Sequence, residues 1–338
     1  MASDSRQVPS ADTGFQPDRL SVVFLLRLVR DSQSVTEIGE NMRLEDKVIA
    51  ITGSGSGLGR DAAKLFSSEG ARIVVSDVVT GRAQKVAADI TADGGAAIGI
   101  DVDVRIESDV QRLVDTAVEE FGRIDVMWAN AGVPEPDFGK NLFVDSTLDD
   151  WNDIVAVNLT GIYLSFRIAA RQMIAQGHGG NLLATTSSAA FVAYPGFPMY
   201  SATKAGGNGI VRGAAVELGR HGIRANALCP VHGMSVNFAL PPEAEVLGKS
   251  YDEMQPWNPE HRAMPLDVGR PPTLRDNSHL ALFLVSDDAA YMSGQTIQSV
   301  DGGTFARPAI VFPSDRGEDA STSRVLPDEI RDSLTGHA

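Results

Sequence analysis

Tyr200 and Lys204 stand four positions apart in the run Tyr-Ser-Ala-Thr-Lys. In a helix that spacing puts both side chains on one face. A free phenol has a pKa of about 10 and is a poor base at neutral pH. A nearby ammonium favours the phenolate, so the pair reads as a group that can take up and return a proton. Ser187 lies upstream, at the end of the apolar run Asn181–Thr186. Ligands gather at the ends of parallel strands, and a hydroxyl there can bond a substrate oxygen. Ser188 is the adjacent candidate, and the spacing favours Ser187.

A second group of residues suits a nucleotide. Thr52-Gly53-Ser54-Gly55-Ser56-Gly57-Leu58-Gly59 sits between an apolar run and an amphipathic one. Glycines let the backbone approach a pyrophosphate closely. The start of the following helix then offers unpaired N–H groups and a positive dipole end. Asp77 ends the next apolar run. A carboxylate there accepts hydrogen bonds from the adenosine ribose hydroxyls and repels a 2′-phosphate, which favours NAD and makes NADP the weaker choice. Arg82 stands nearby and weakens that discrimination.

The elements that must position these residues alternate. Apolar runs at Val48–Ile51, Arg72–Ser76, Ala96–Val102, Asp125–Ala129, Asn181–Thr186, Ile223–Leu228 and Gln295–Val300 read as strands. Between them, helical periods cover Asp61–Glu69, Ala83–Asp93, Ser108–Phe121, Leu148–Ala175, Tyr200–Gly219 and Asn277–Val285. That order predicts βαβ units and an α/β fold, a single doubly wound Rossmann-type domain with a seven-stranded parallel sheet.

With these motifs in order, the sequence resembles the short-chain dehydrogenase/reductase family from Leu44 to Phe305. Thr52-Gly53-x-x-x-Gly57-x-Gly59 resembles its cofactor glycine motif, with Ser56 and Leu58 lining the same turn. Asp103-Val104 resembles its adenine-contacting pair, and Asn130-Ala131-Gly132 the motif after its fourth strand. Asn158 in Val157-Asn-Leu159 resembles its catalytic Asn, and Ser187, Tyr200 and Lys204 complete a tetrad. Asp301-Gly-Gly303 resembles the family's terminal motif. The resemblance implies hydride transfer between a substrate carbon and a nicotinamide. It implies that Tyr200 is the general acid/base and that Lys204 lowers its pKa and holds the nicotinamide ribose. It further implies that Ser187 positions the substrate oxygen and that Asn158 holds a water for proton relay. A homotetramer or homodimer built through Leu148–Ala175 and Tyr200–Gly219 is also implied.

One stretch departs from the pattern. After the sixth strand the family usually has Pro-Gly, an apolar residue and Thr, whereas this chain has Pro230-Val-His-Gly233-Met-Ser235. Pro230 fits and shapes the turn. Gly233 stands where an aliphatic residue contacts the nicotinamide carboxamide through its backbone, and Ser235 can replace the Thr hydroxyl.

Residues 234–275 then form the expected substrate lid, carrying Phe238, Met254, Trp257 and Met264 among several prolines. With Tyr194 and Met199 on the far wall, these residues point to a bulky, mostly apolar alcohol or ketone of steroid, terpene or aryl type. They serve equally to pack a lid onto the body. The leading expectation is an NAD-dependent secondary-alcohol dehydrogenase or carbonyl reductase. The alternatives are an NAD(H)-binding regulatory protein without turnover and a C=C (enoyl) reductase. The intact tetrad weighs against the first, and the Tyr–Lys spacing against the divergent branch of the second.

Composition narrows the classes. The chain has 338 residues, 43% of them hydrophobic, and a formal charge of −15. The apolar content excludes disorder throughout, and the negative charge argues against nucleic acid as a partner. The single Cys excludes an intramolecular disulfide, which fits a cytoplasmic enzyme. The six His residues show no metal-ligand spacing. Residues 1–41 read as a partly disordered leader, 42–306 as the enzyme, and 307–338 as a surface tail. The apolar run Leu20–Val29 is interrupted by Arg27 and falls short of the roughly 20 residues that span a bilayer.

Overall fold

Short runs of Val, Ile, Leu and Ala suit strands buried on both faces. Such runs, with two partly exposed edge strands, form β1 (Val48–Ile51), β2 (Arg72–Asp77), β3 (Ala96–Asp101), β4 (Val126–Ala129), β5 (Gly180–Thr185), β6 (Ile223–Pro230) and β7 (Thr296–Ser299). The computed structural model describes residues 42–136, 143–240, 244–254 and 264–306. Within them the strands make one parallel sheet in the order β3-β2-β1-β4-β5-β6-β7. This is the doubly wound seven-stranded arrangement expected from the alternation of apolar runs. The order reverses between β1 and β4, and at such a switch point the strand ends open a crevice.

The helices are α1 (Gly57–Ser68), α2 (Arg82–Ala92), α3 (Glu107–Phe121), α4 (Leu148–Val155), α5 (Gly161–Gln176), α6 (Pro198–Leu218) and α7 (Leu274–Val285). Side chains alternate across each strand and split the core in two. Val48 and Ala50 of β1 pack with α3, α5 and α6, while Ile49 and Ile51 pack with α1, α2 and α7. Phe66 of α1 and Trp128 of β4 stack with ring centroids 5.7 Å apart in the second layer.

Two boundaries differ from expectation for physical reasons. α1 starts at Gly57, inside the glycine loop, because the loop turns directly into the helix. α7 starts at Leu274, where Thr273 and Asp276 close a capping box. The long helix expected over Leu148–Ala175 is one rod with a change of pitch. A five-residue π-helical turn, Ala156–Thr160, joins α4 to α5, and Asn158 is its buried residue. π-turns cluster at functional sites because they re-aim one side chain. The stretch Leu148–Gln176 is long and apolar enough to cross a membrane by composition. Its Ile154, Ile162, Phe166, Ile168 and Met173 are instead buried in the protein, which accounts for that apolar content.

Candidate active site

The loops after β1, β4 and β5 meet at the sheet's C-terminal edge. Thr52, at the end of β1, receives the N–H groups of Asn130 and Ala131 on its Oγ1, each at 3.0 Å. Asn130 returns its Nδ2 to the carbonyls of Thr52 and Gly53. Its Oδ1 accepts from Thr185 Oγ1 at 2.9 Å, and Thr185 in turn accepts from Trp128 Nε1. This chain of bonds locks three strand ends together. It also holds Gly53 at φ +62°, where a Cβ would fall 2.9 Å from the Ala131 backbone.

The glycine loop fits a dinucleotide. Ser56 stands at the N-cap of α1 without a side-chain cap, and no acidic residue occupies the first turn. The helix end therefore presents its N–H groups to an anion. A Cβ on Gly57 would lie 2.8 Å from Ser235 Oγ, so the structure brings Ser235 beside the start of α1. Asp77 is 6% exposed. Its carboxylate accepts from Gly55 N at 3.1 Å and from Val79 N at 3.0 Å. Burial raises its pKa against the lowering effect of those bonds and of Arg82. Beside it opens a cleft of ≈ 310 Å³ lined by Gly55, Arg60, Arg82, Lys85, Val86 and Glu245–Val246. The cleft therefore carries three cations, of which Arg60 pairs with Asp89, against the carboxylates of Glu245 and the nearby Asp77.

The other nucleotide-side residues divide. Asp103, after β3, is paired with Arg105, whose hydrogen bonds hold its carboxyl below the usual range. Val104 is buried, and a Cβ on Gly161 would meet it at 2.9 Å, so this residue wedges α5 against the loop. Pro230 closes β6. Gly233 takes φ +67°. Its N–H donates to Asp252 Oδ2 at 2.9 Å and its carbonyl accepts from Asn277 at 3.1 Å. The expected contact of Gly233 with a carboxamide thus finds its N–H engaged within the protein. A Cβ there would sit 2.5 Å from the Thr273 carbonyl, which explains the glycine in place of an aliphatic residue.

Ser187, Tyr200 and Lys204 converge where β5 ends and α6 begins. Ser187 Oγ accepts from Ala189 N at 3.1 Å, and its hydroxyl acts on the Tyr200 phenol to lower its pKa. Lys204 Nζ donates to the Thr185 carbonyl at 2.9 Å and lies 5.4 Å from the Tyr200 ring centroid. Burial pushes the Tyr200 phenol above its ordinary value, and the Ser187 bond opposes this. The same burial pulls Lys204 down to about 8. The expected lowering of Tyr200 by Lys204 is not what this geometry produces. The ammonium is drawn to the Thr185 carbonyl and lies over the ring, and desolvation dominates the phenol.

Asn158 is fully buried. Its Oδ1 accepts from Val133 N at 2.8 Å and its Nδ2 donates to the Val133 carbonyl at 2.9 Å. The amide also reaches Thr203 Oγ1, which donates to the Tyr200 carbonyl. Asn158 thus ties the loop after Gly132 to the Tyr200 helix. Gly132 itself faces Lys204 and Asn158, with a Cβ there falling 3.2 Å from the Lys204 Nζ.

The wall around the Tyr200 ring is apolar. Tyr200 packs edge-on against Phe238 at 5.8 Å and Phe197 at 6.3 Å, with Met199 and Ile154 in the same cluster. Tyr194 bonds its hydroxyl to Ser188 at 2.9 Å, which gives Ser188 a partner distinct from that of Ser187. Trp257 lies outside the described residues. Thr185, Phe197, Thr203 and Glu135 belong to the site and escaped the sequence reading. No spacing marks Thr185, Thr203 and Glu135, because each acts through a contact between elements distant in the chain. Among the described residues, no group of His, Cys, Asp and Glu could hold a metal.

The short chain dehydrogenase family model matches residues 47–235. Short-chain dehydrogenase reductase 3c of Arabidopsis thaliana is 37% identical over 269 residues, covering 79% of this chain and 98% of the relative. Mitochondrial borneol dehydrogenase of Lavandula x intermedia is 36% identical, covering 77% and 91%. Secoisolariciresinol dehydrogenase of Forsythia intermedia is 34% identical, covering 80% and 93%. A crystal structure of a short-chain type dehydrogenase/reductase from Mycobacterium marinum superposes with a TM-score of 0.67 at 28% identity, covering 79% of this chain and 99% of that one.

Proposed function

The chain belongs to the short-chain dehydrogenase/reductase family of NAD(P)-binding oxidoreductases, and from that premise we propose that it is an NAD-dependent enzyme interconverting a bulky, mostly apolar secondary alcohol and its ketone. The observation that carries this reading is the convergence of Ser187, Tyr200 and Lys204 at the end of β5, beneath the aromatic wall of Phe197 and Phe238. The relatives whose names specify borneol and secoisolariciresinol support the same substrate class.

The glycine loop, Asp77 and Ser235 would hold the nucleotide, with Lys204 reaching its nicotinamide ribose. When bound, that group supplies the hydride acceptor or donor. Tyr200 holds or releases the proton at its hydroxyl oxygen. Ser187, which acts on the phenol, orients the substrate oxygen toward it. Burial keeps the phenol protonated at neutral pH, a state ready to donate to a developing alkoxide during ketone reduction. Alcohol oxidation needs the phenolate, so that direction is favoured as pH rises. Asn158 keeps the Val133 loop and the Tyr200 helix in register.

Asp77 supports NAD as the cofactor. The cleft of Arg60, Arg82 and Lys85 favours a second reading, in which a 2′-phosphate is accepted there. A homo-oligomer and a cytoplasmic setting complete the proposal. The test is NAD and NADP reduction over a panel of steroid, terpene, aryl and sugar alcohols. Turnover confined to the sugar alcohols, or absent from the whole panel, defeats the reading.

A further inference from the structure

Helix α6 begins without a cap of its own. Its N-cap residue Phe197 offers no side-chain acceptor, and Pro198 follows at the first helical position. The next two amides, Met199 and Tyr200, point their N–H groups toward the loop after β4. Glu135 meets both. Its Oε1 accepts from Met199 N at 3.2 Å and its Oε2 from Tyr200 N at 2.7 Å. The residue is 5% exposed. A buried carboxylate bonded to two amides at a helix N-terminus faces the positive end of the dipole. It replaces the missing cap from a different part of the chain.

The same loop is anchored two residues earlier. Val133 is clasped through both its N–H and its carbonyl by the Asn158 side chain. Val133–Glu135 is therefore a strap. One end is tied to the π-turn that carries Asn158, the other to the amide of the residue bearing the phenol. We propose that Glu135 is a positioning residue for the reaction, setting the first turn of α6 and thereby the placement of the Tyr200 phenol relative to Ser187. This role rests on the oxidoreductase reading above.

The geometry implies an effect on the chemical step rather than on nucleotide binding, because the hydrogen bonds that Glu135 makes among the described residues go to the helix start. Glu135→Ala removes both acceptors and Glu135→Gln keeps one. A displacement of about 1 Å in a reacting group costs on the order of a hundredfold in rate. Glu135→Ala is therefore expected to lower kcat and kcat/KM together by about ten- to a hundredfold. Glu135→Gln should recover part of that loss, with the NADH dissociation constant within about twofold of wild type in both variants. Amide exchange at Met199 and Tyr200, followed by mass spectrometry on the full chain, should accelerate in Glu135→Ala. A lower melting temperature with kcat unchanged at 25 °C, or unchanged exchange at those amides, overturns the proposal. A wild-type chain that binds NADH but oxidises no alcohol defeats the functional reading instead. The exchange measurement, which needs no substrate, then decides whether Glu135 holds the helix start.

Discussion

The carboxylate of Asp77 accepts the backbone N–H of Gly55 at 3.1 Å, so the end of β2 is tied to the loop between β1 and α1. The bond turns a negative charge toward the place where the adenosine ribose would lie. Asp77→Ala removes that charge while Arg60, Arg82 and Lys85 remain in the adjoining cleft. Like-charge repulsion against a 2′-phosphate disappears, and the ratio of kcat/KM for NAD over NADP should narrow by about tenfold or more. An unchanged ratio in steady-state kinetics with both nucleotides removes Asp77 as the discriminating residue.

Tyr200→Phe keeps the ring against Phe197 and Phe238 and deletes the hydroxyl. Loss of a positioned acid/base costs about 10²- to 10⁴-fold. The variant should bind NADH as wild type does, by fluorescence titration, and lose turnover by that factor. Wild-type turnover in this variant favours a nucleotide-binding protein in which the tetrad has no chemical task.

Lys204 carries a pH signature. Burial pulls its ammonium from the ordinary 10.5 down to about 8. Below about 8 both folded and unfolded chains hold the proton, and the cost of burying the charge is fully present. Between about 8 and 10.5 the unfolded chain binds more protons than the folded one, so this group makes stability rise with pH. Tyr200 and Cys229, both raised by burial, act the other way above their ordinary values. Comparison with Lys204→Met separates these contributions. In nucleotide-free protein the stability advantage of Lys204→Met, read by denaturant unfolding, should be greatest at pH 7 and shrink toward pH 10, by on the order of 3 kcal/mol in all. A difference independent of pH contradicts a buried ammonium at this position.

Gly59 packs against backbone. A Cβ there would lie 2.7 Å from both the Gly53 carbonyl and Asn130 Nδ2, and 2.8 Å from the Ser54 Cα. Backbone cannot swing aside as a flexible side chain can, so Gly59→Ala must shift the loop. Overpacking of this kind costs about 1–3 kcal/mol. The expected outcome is a lower melting temperature and NADH binding weakened by about tenfold or more, measured by calorimetry. Unaltered binding means that the loop does not cradle the nucleotide.

Much of the fold was legible along the chain. The alternation of apolar runs such as Val48–Ile51 with helical periods such as Ser108–Phe121 is a local property, and the strands and helices follow it within a few residues. Tyr200 and Lys204 are legible for the same reason, since one helix turn relates them. Glu135 was not. It lies in a loop sequence, Val-Pro-Glu-Pro, without a periodic signal, and its role exists only because the sheet order brings the ends of β4 and β5 together.

The sequence by itself determined the kind of fold and the family, and it named the candidates for moving a proton and holding a nucleotide, because spacing within one element is enough to align them. The tertiary structure decided the electrostatics. Lys204 was expected to lower the phenol's pKa, but it is engaged by Thr185 and both groups are governed by desolvation. It also decided what holds Tyr200 in place, through Asn158, Val133 and Glu135. Burial and contacts between distant segments exist only once the sheet is assembled, and no pattern of residue types along the chain encodes their magnitude.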